Sequence, residues 1–275
     1  MAADTDTSST TSAATARFAN RTALVTGGGT GMGRAGAIAL ARGGARVVIA
    51  GRRREPLDAV VAEIEQFGGE ALAVPTDVSD MEQVKALVDR AVSTFGALHL
   101  AWNNAGMLGH FGPAHEMEPD MFDALMATNL RGIFACLQHE VRAMLAQGTP
   151  GAIVNTSSWT AHGAMPGVAA YAATKAALEA LNRTMAVELG PKGIRINNVS
   201  PGIIATPMAS DVLASDVARQ PFVRQTPLQR IGTAAEVADA VAWLLSDEAR
   251  FVTGQSLLVD GGFTLGGMRP WMHGG

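Results

Sequence analysis

Thr22-Ala23-Leu24-Val25-Thr26-Gly27-Gly28-Gly29-Thr30-Gly31-Met32-Gly33 is the stretch that decides the fold. Its first five residues, apolar or β-branched, read as a buried strand. The glycines after them permit positive φ and let backbone approach a bound group closely, and a helical pattern begins at once, near 32–43. A glycine cluster alone is often only a flexible loop. Placed between a strand and a helix N-terminus, this one reads as a phosphate cradle, because unpaired N–H groups and the helix dipole both favour negative charge there. The spacing, TGxxxGxG, differs from the commoner GxGxxG fingerprint.

Outward from this turn the chain keeps alternating. Strand patterns fall at 22–26, 46–50, 71–74, 98–102, 152–156, 195–199 and 256–259. Helical patterns lie near 32–43, 55–67, 80–95, 120–146, 171–189 and 234–246, several opened by Asp, Ser or Thr. Strands that are apolar throughout and separated by helices predict an α/β fold, a doubly wound parallel seven-stranded sheet with helices on both faces. No linker-like composition divides the chain, so one domain over 19–275 is expected, with residues 1–18 as a mobile tail. The tail has neither an apolar core nor an Arg-rich amphipathic pattern that would mark a targeting signal. The segment 201–232 carries little regular pattern beyond a short helix near 209–219, and its length suggests a lid.

Composition narrows the function classes. The 48% hydrophobic content with 5% aromatic residues predicts an interior of Ala, Val, Ile and Leu, with 31 glycines for tight turns. A net charge of −4 offers no basic field for nucleic acid. No apolar run approaches the roughly 20 residues that span a bilayer. The lone Cys136 cannot form an internal disulfide, and scattered His without HExxH or paired-Cys spacing give no metal site. A reducing cytoplasm is the expected compartment.

The second strand ends Val47-Val48-Ile49-Ala50-Gly51, followed by Arg52-Arg53-Arg54. In NAD-binding folds an acidic residue closes this strand and holds the ribose 2′-hydroxyl; Gly51 stands in that place here. Arg52 is suited to a 2′-phosphate through charge-assisted bonds, which favours NADP(H), with NAD(H) possible. The three arginines also read as a plain solvated turn. Farther on, the only tyrosine, Tyr171, stands four residues before Lys175, with Ser158 thirteen residues upstream. Residues four apart share a helix face, so the lysine can lie near the phenol and lower its pKa, making it an acid–base group. Taken alone, the pair reads more readily as a packing aromatic beside a solvated charge, and only the rest of the chain overturns that.

Together the glycine turn, Ser158, Tyr171 and Lys175 resemble the short-chain dehydrogenase/reductase superfamily, and further motifs extend the resemblance over about 21–262. Asn103-Asn104-Ala105-Gly106 matches its NNAG element, Asp77-Val78 its adenine-contacting segment, and 201–206 its PGxxxT segment. The resemblance implies a Rossmann-like sheet and an NADP(H)- or NAD(H)-dependent oxidoreductase acting on CH–OH groups. Gly27, Gly31, Met32, Gly33, Arg52, Asp77, Val78, Asn104, Ala105, Gly106, Pro201, Gly202, Ile204 and Thr206 would hold the cofactor, together with Tyr171 and Lys175. Tyr171 would exchange a proton with the substrate oxygen and Ser158 would hydrogen-bond that oxygen. Lys175 would bond the nicotinamide ribose and, with the positive charge of the oxidised ring, lower the phenol pKa, and Asn129 would anchor a water linking Lys175 to solvent. Ser157 adjoins Ser158, but the family spacing favours Ser158. One departure is Asn197-Asn198, where Asn-Ala is common; the extra amide is expected only to bond a neighbouring loop.

Substrate-side candidates are His110, Phe111, Trp159, His162, Met165 and Met208, which suggest an apolar pocket for a small alcohol or ketone. Trp159 could equally pack beneath the site, and His162 reads more readily as structural. The apolar stretch 268–272 suggests burial against another subunit, as in family homotetramers, or in a homodimer. Three alternatives stay open: an NAD-preferring alcohol dehydrogenase, a 3-oxoacyl-(acyl-carrier-protein) reductase with Arg142 and Lys192 as docking residues, and a nucleotide-sensing regulator with a dead site.

Overall fold

The computed structural model describes residues 16–266; the rest of the expected tail, 1–15, and the apolar stretch 268–272 lie outside the described residues. In chain order the elements are β1 (Thr22–Thr26), α1 (Gly31–Arg42), β2 (Arg46–Gly51), α2 (Arg54–Gln66), β3 (Ala71–Pro75), α3 (Met81–Phe95) and β4 (Leu100–Asn103). There follow α4 (Pro119–Met126), α5 (Ile133–Gln147), β5 (Gly151–Thr156), α6 (Ala169–Leu189) and β6 (Ile194–Pro201). The last third holds β7 (Ile204–Ala205), α7 (Ser210–Leu213), α8 (Asp216–Gln225), β8 (Gly232–Thr233), α9 (Ala234–Leu245) and β9 (Ser256–Val259).

Seven strands form one parallel sheet in the order β3-β2-β1-β4-β5-β6-β9. Successive side chains alternate between its faces. Val25, Ile49, Trp102, Val154 and Val199 pack with α1, α2 and α9, while Leu24, Val48, Ala101, Ile153 and Ile196 pack with α3, α5 and α6. Both faces are therefore covered, which is why the strands read as unbroken apolar runs. The order reverses between β1 and β4, so a crevice opens outside the carboxyl ends of these two strands, where open α/β sheets bind ligands.

The seven expected strands are present, with shifted ends. β4 starts two residues later than its apolar pattern, because the backbone of Leu98 is bonded by the Gln147 side chain, which accepts from its N–H and donates to its carbonyl at 2.8 Å. The expected helix over 120–146 is interrupted: α4 and α5 are joined by a π-helical turn, Ala127–Gly132, that contains Asn129. Within 201–232 there is more order than expected, with α7, α8 and the small β7–β8 pair. Pro221 inside α8 removes one N–H from the ladder and made the segment look unstructured, while Ser215 caps the helix by accepting from Ala218 N–H at 3.1 Å. The tail boundary at residue 18 is corrected: Phe18 is buried against the α1 terminus, and its N–H bonds the Gly43 carbonyl at 2.7 Å.

Glu140 on α5 is fully buried and pushed up to about 7, by burial first, against the lowering effect of the Asn103 amide that donates to it at 2.9 Å. The folded state thus holds this proton more tightly than the unfolded chain, so stability falls as pH rises between 4.5 and about 7. Glu140→Gln, which keeps the acceptor for Asn103, is expected to be more stable than the natural chain at pH 8 by about 3 kcal/mol. The advantage should fade toward pH 4.5, as measured by urea unfolding across that range.

Candidate active site

The site begins at the glycine turn. Gly27 and Gly31 adopt φ of +65° and +54°, the left-handed region that suits glycine. At Gly33 a Cβ would lie 2.2 Å from the Gly27 carbonyl and 2.6 Å from Asn104 Nδ2, so only glycine fits. Thr30, the N-cap of α1, makes no side-chain cap, which leaves the first N–H groups of the helix to another acceptor. Glycine geometry, open helix terminus and position at the sheet's switch point together fit a bound pyrophosphate.

Thr26 fastens this cradle to the NNAG element, its hydroxyl accepting from the N–H of Asn104 at 3.0 Å and of Ala105 at 3.1 Å. Asn104 reaches back to the carbonyls of Thr26 and Gly27 at 3.3 and 3.4 Å. On one side of the turn a cleft is lined by Arg52, Asp77, Val78, Ala105 and Gly106. Asp77 is fixed there by Ser79, whose N–H and hydroxyl donate to it at 2.9 and 2.7 Å. Arg52 makes no ion pair among the described residues, whereas Arg54 is held by Asp58 at 2.9 Å and Arg34 by Glu63. A free guanidinium at the end of β2 is available to an anion.

On the other side opens a second cleft of about 150 Å³, onto which Ser158, Tyr171, Lys175, Pro201, Gly202, Ile204 and Thr206 all face, with Met32. Tyr171 and Lys175 share one face of α6, and the Lys175 ammonium lies 5.5 Å from the phenol ring centroid. Lys175 is 3% exposed, donates to the Thr156 carbonyl at 2.7 Å, and is lowered to about 8 by burial. Burial likewise pushes the Tyr171 phenol above its ordinary value, the Ser158 hydroxyl acting the other way. In the chain without cofactor, desolvation thus sets the direction of the shift; the lowering expected from Lys175 together with an oxidised nicotinamide belongs to the cofactor-bound state. Asn129, fully buried on the π turn, clamps Met107: its Oδ1 accepts from Met107 N–H at 2.9 Å and its Nδ2 donates to the Met107 carbonyl at 2.8 Å.

Met165 and Met208 line the cleft, and Trp159 both lines it and packs beneath it, edge-on to Phe263 at 4.7 Å. His162 does not line it; its Nε2 lies 3.2 Å from Ser200 Oγ and 3.5 Å from Glu179. His110 and Phe111 are also outside the lining. Thr26, Thr156 and Thr160 were missed by sequence reasoning. Thr26 had a signal, its place directly before the glycine turn, but the other two are ordinary strand and turn threonines until their partners are known.

A family model described as enoyl-(acyl carrier protein) reductase, one of the short-chain dehydrogenase/reductase models, matches residues 27–264. The chain belongs to the short-chain dehydrogenase/reductase family. Within this family it is 41% identical to a cyclohexanol dehydrogenase of Acinetobacter sp. (strain SE19), over 90% of this chain and 96% of the relative. It is 40% identical to a 3-oxoacyl-(acyl-carrier-protein) reductase of Staphylococcus aureus (strain N315), over 88% of this chain and 97% of the relative. The crystal structure of a levodione reductase superposes with a TM-score of 0.87 at 37% identity, covering 90% of this chain and 99% of that one. The chain is thus a short-chain oxidoreductase that interconverts alcohol and ketone groups with a nicotinamide cofactor.

Because Tyr171 is the only tyrosine, its phenol can be titrated directly. In the cofactor-free protein the ultraviolet phenolate signal is expected to appear with a midpoint above pH 10, and to move down to about 10 when the chain is unfolded in denaturant.

Proposed function

We propose that the protein reduces small, uncharged, apolar ketones, cyclic ones among them, with NADPH, and catalyses the reverse oxidation of the secondary alcohols. Tyr171 is assigned as the acid–base group and Ser158 as the donor that holds the substrate oxygen. The observation that supports the reading most is the composition of the cleft: among the described residues Lys175 is the only charged one lining it, and Met107, Leu108, Trp159, Met165 and Val168 stand around Ser158 and Tyr171. Such a lining favours desolvation of an apolar substrate and orients it by one polar end. The names of the cyclohexanol dehydrogenase and levodione reductase relatives agree with cyclic substrates.

When bound, the nicotinamide supplies or accepts the hydride. The chain's own part is the proton and the placement of the oxygen. A phenol kept protonated by burial is ready to donate to a ketone oxygen at neutral pH, while Ser158 donates a second hydrogen bond to the same oxygen. Lys175, still largely charged below pH 8, holds α6 to β5 and would bond the ribose of a bound nicotinamide cofactor. Asn129 anchors the loop after β4 through Met107, and the water link from Lys175 to solvent expected of it is part of the same reading. NADP preference is supported by Gly51 in place of a carboxylate and by the unpaired Arg52. A homotetramer or homodimer is part of the same reading; an apolar groove between α4, α5 and α6, lined by Leu130, Phe134 and Leu181, is consistent with it.

Activity should be measured on cyclohexanone, open-chain ketones and a carrier-bound 3-oxoacyl substrate, with NADPH and with NADH. Turnover of the carrier-bound substrate alone would favour the second reading, in which exposed Arg142 and Lys192 dock a carrier protein. Tyr171→Phe is expected to lower kcat by roughly 10²–10⁴-fold with little change in NADPH affinity. In the natural enzyme, kcat/KM for alcohol oxidation should climb with pH up to the phenol pKa, since the base form is required, whereas ketone reduction should stay flat and then fall. For cofactor choice, Arg52→Ala should raise the KM for NADPH by roughly tenfold or more, the worth of a charged hydrogen bond, and leave that for NADH unchanged. A higher kcat/KM with NADH than with NADPH in the natural enzyme would overturn the preference.

A further inference from the structure

Asn103, Asn155, Asn198 and Ser256 are register partners on the adjacent strands β4, β5, β6 and β9. Their side chains form a ladder across the sheet. Asn103 Nδ2 donates to Asn155 Oδ1 at 3.1 Å, Asn155 Nδ2 to Asn198 Oδ1 at 3.2 Å, and Asn198 Nδ2 to Ser256 Oγ at 3.1 Å. Asn198, the departure from the common alanine, is the rung that carries the ladder from β5 to β9. All three amides are at most 0% exposed and all donate in one direction, so the run must end on an acceptor. It ends on Glu179, to which Ser256 donates.

Glu179 lies on α6 one turn beyond Lys175 and is nearly buried. Its carboxylate also accepts from Ser157 Oγ at 2.7 Å and Ser200 Oγ at 3.5 Å, and faces His162 Nε2 at 3.5 Å. Ser157 and His162 are the two ends of the segment 157–162, and Ser158 is inside it. Within that segment the Ser158 hydroxyl accepts from Thr160 N–H at 3.1 Å and from the Thr160 hydroxyl at 3.0 Å, so its direction follows the segment. Neither Glu179 nor His162 lines the cleft.

We propose that Glu179 is a positioning residue for Ser158. One carboxylate, oriented by the cross-sheet ladder, clamps both ends of the serine-bearing segment to the helix that carries Tyr171 and Lys175, and thereby sets where the Ser158 hydroxyl stands relative to the phenol. A carboxylate suits the place because the three serine hydroxyls converge on it as donors beside the His162 ring nitrogen; an amide would add donors of its own. The proposal rests on the reading of Ser158 as the residue that holds the substrate oxygen.

A double-mutant cycle on the full chain tests it, with cyclohexanone and NADPH and with kcat expressed per NADPH-binding site so that misfolded protein is not counted. Glu179→Gln is expected to lower kcat by roughly ten- to a hundredfold, the cost of a small misplacement, while NADPH Kd and ketone KM stay within about twofold. In a Ser158→Ala background the same substitution should change kcat by less than about twofold, because the group it acts through is gone. Ser157→Ala, which removes a single hydroxyl, should give a smaller loss with the same dependence on Ser158, and it replaces Glu179→Gln in the cycle should that variant not fold. An unchanged kcat per site, or equal losses in both backgrounds, overturns the positioning role alone. Full activity in Ser158→Ala by itself overturns the reading of Ser158, and the proposal with it.

Discussion

The buried hydrogen bond from the Lys175 ammonium to the Thr156 carbonyl, 2.7 Å long, holds the two halves of the site together. Removing a lysine charge from water is expensive, and among the described residues no carboxylate pairs with this one, so its pKa falls to about 8. At neutral pH the group is still mostly charged, and the strand carbonyl is the partner that keeps it so. The same threonine continues inward: its hydroxyl accepts from Trp102 Nε1 at 2.9 Å and donates to Asn104 Oδ1 at 3.3 Å. Asn104 then bonds the carbonyls of the glycine turn. Helix α6, strand β5 and the phosphate cradle are thus one bonded unit, and the distance between a bound cofactor and the phenol is set by covalent geometry and a few hydrogen bonds.

Polar side chains in this sheet are placed by register. Most residues the strands bury are apolar, but Thr26, Asn103, Asn155, Thr156 and Ser200 toward their carboxyl ends, and Asn198 within β6, are buried polar groups. Parallel pairing without slippage brings Asn103, Asn155, Asn198 and Ser256 side by side, and a one-residue slip would turn each amide to the other face, among Val154 and Val199. An unpaired amide there would cost about 1–3 kcal/mol. The ladder therefore fixes the register, and the register fixes where Ser158 and Pro201 emerge from β5 and β6.

What could be read from the sequence was local. The strand, glycine turn and helix start lie within a dozen residues, and Tyr171 and Lys175 are one helical turn apart, so their spacing carries their geometry. Glu179 is equally on that helix, yet Leu178-Glu179-Ala180 looks like any half-exposed helix turn until β6 and β9 are packed against it. Asn129 was visible as a residue, but its interrupted helix was not, because a π turn leaves the apolar pattern of 120–146 almost unchanged. The short helix expected near 209–219 covers α7 and the start of α8, and Pro221 hid the continuation to Gln225; the direction of the Tyr171 shift depends on how deeply the phenol is covered, which adjacent residues do not encode.

The segment 157–162 is held on two sides by different physics. Behind it, Glu179 gathers the segment's own Ser157 hydroxyl and those of Ser200 on β6 and Ser256 on β9 in a nearly water-free node. In front, the Trp159 ring meets Phe263 edge-on at 4.7 Å, and Phe263 stacks on Phe222 of α8 at 6.3 Å. The polar side is directional and stiff, so it sets the position of Ser158. The aromatic side carries no directional bond to the segment, so it supports Trp159 by packing and leaves the placing of Ser158 to the hydrogen bonds. The proposed reduction of apolar ketones would draw on that division: methionines and aromatics on the cleft side, and fixed hydrogen bonds behind Ser158.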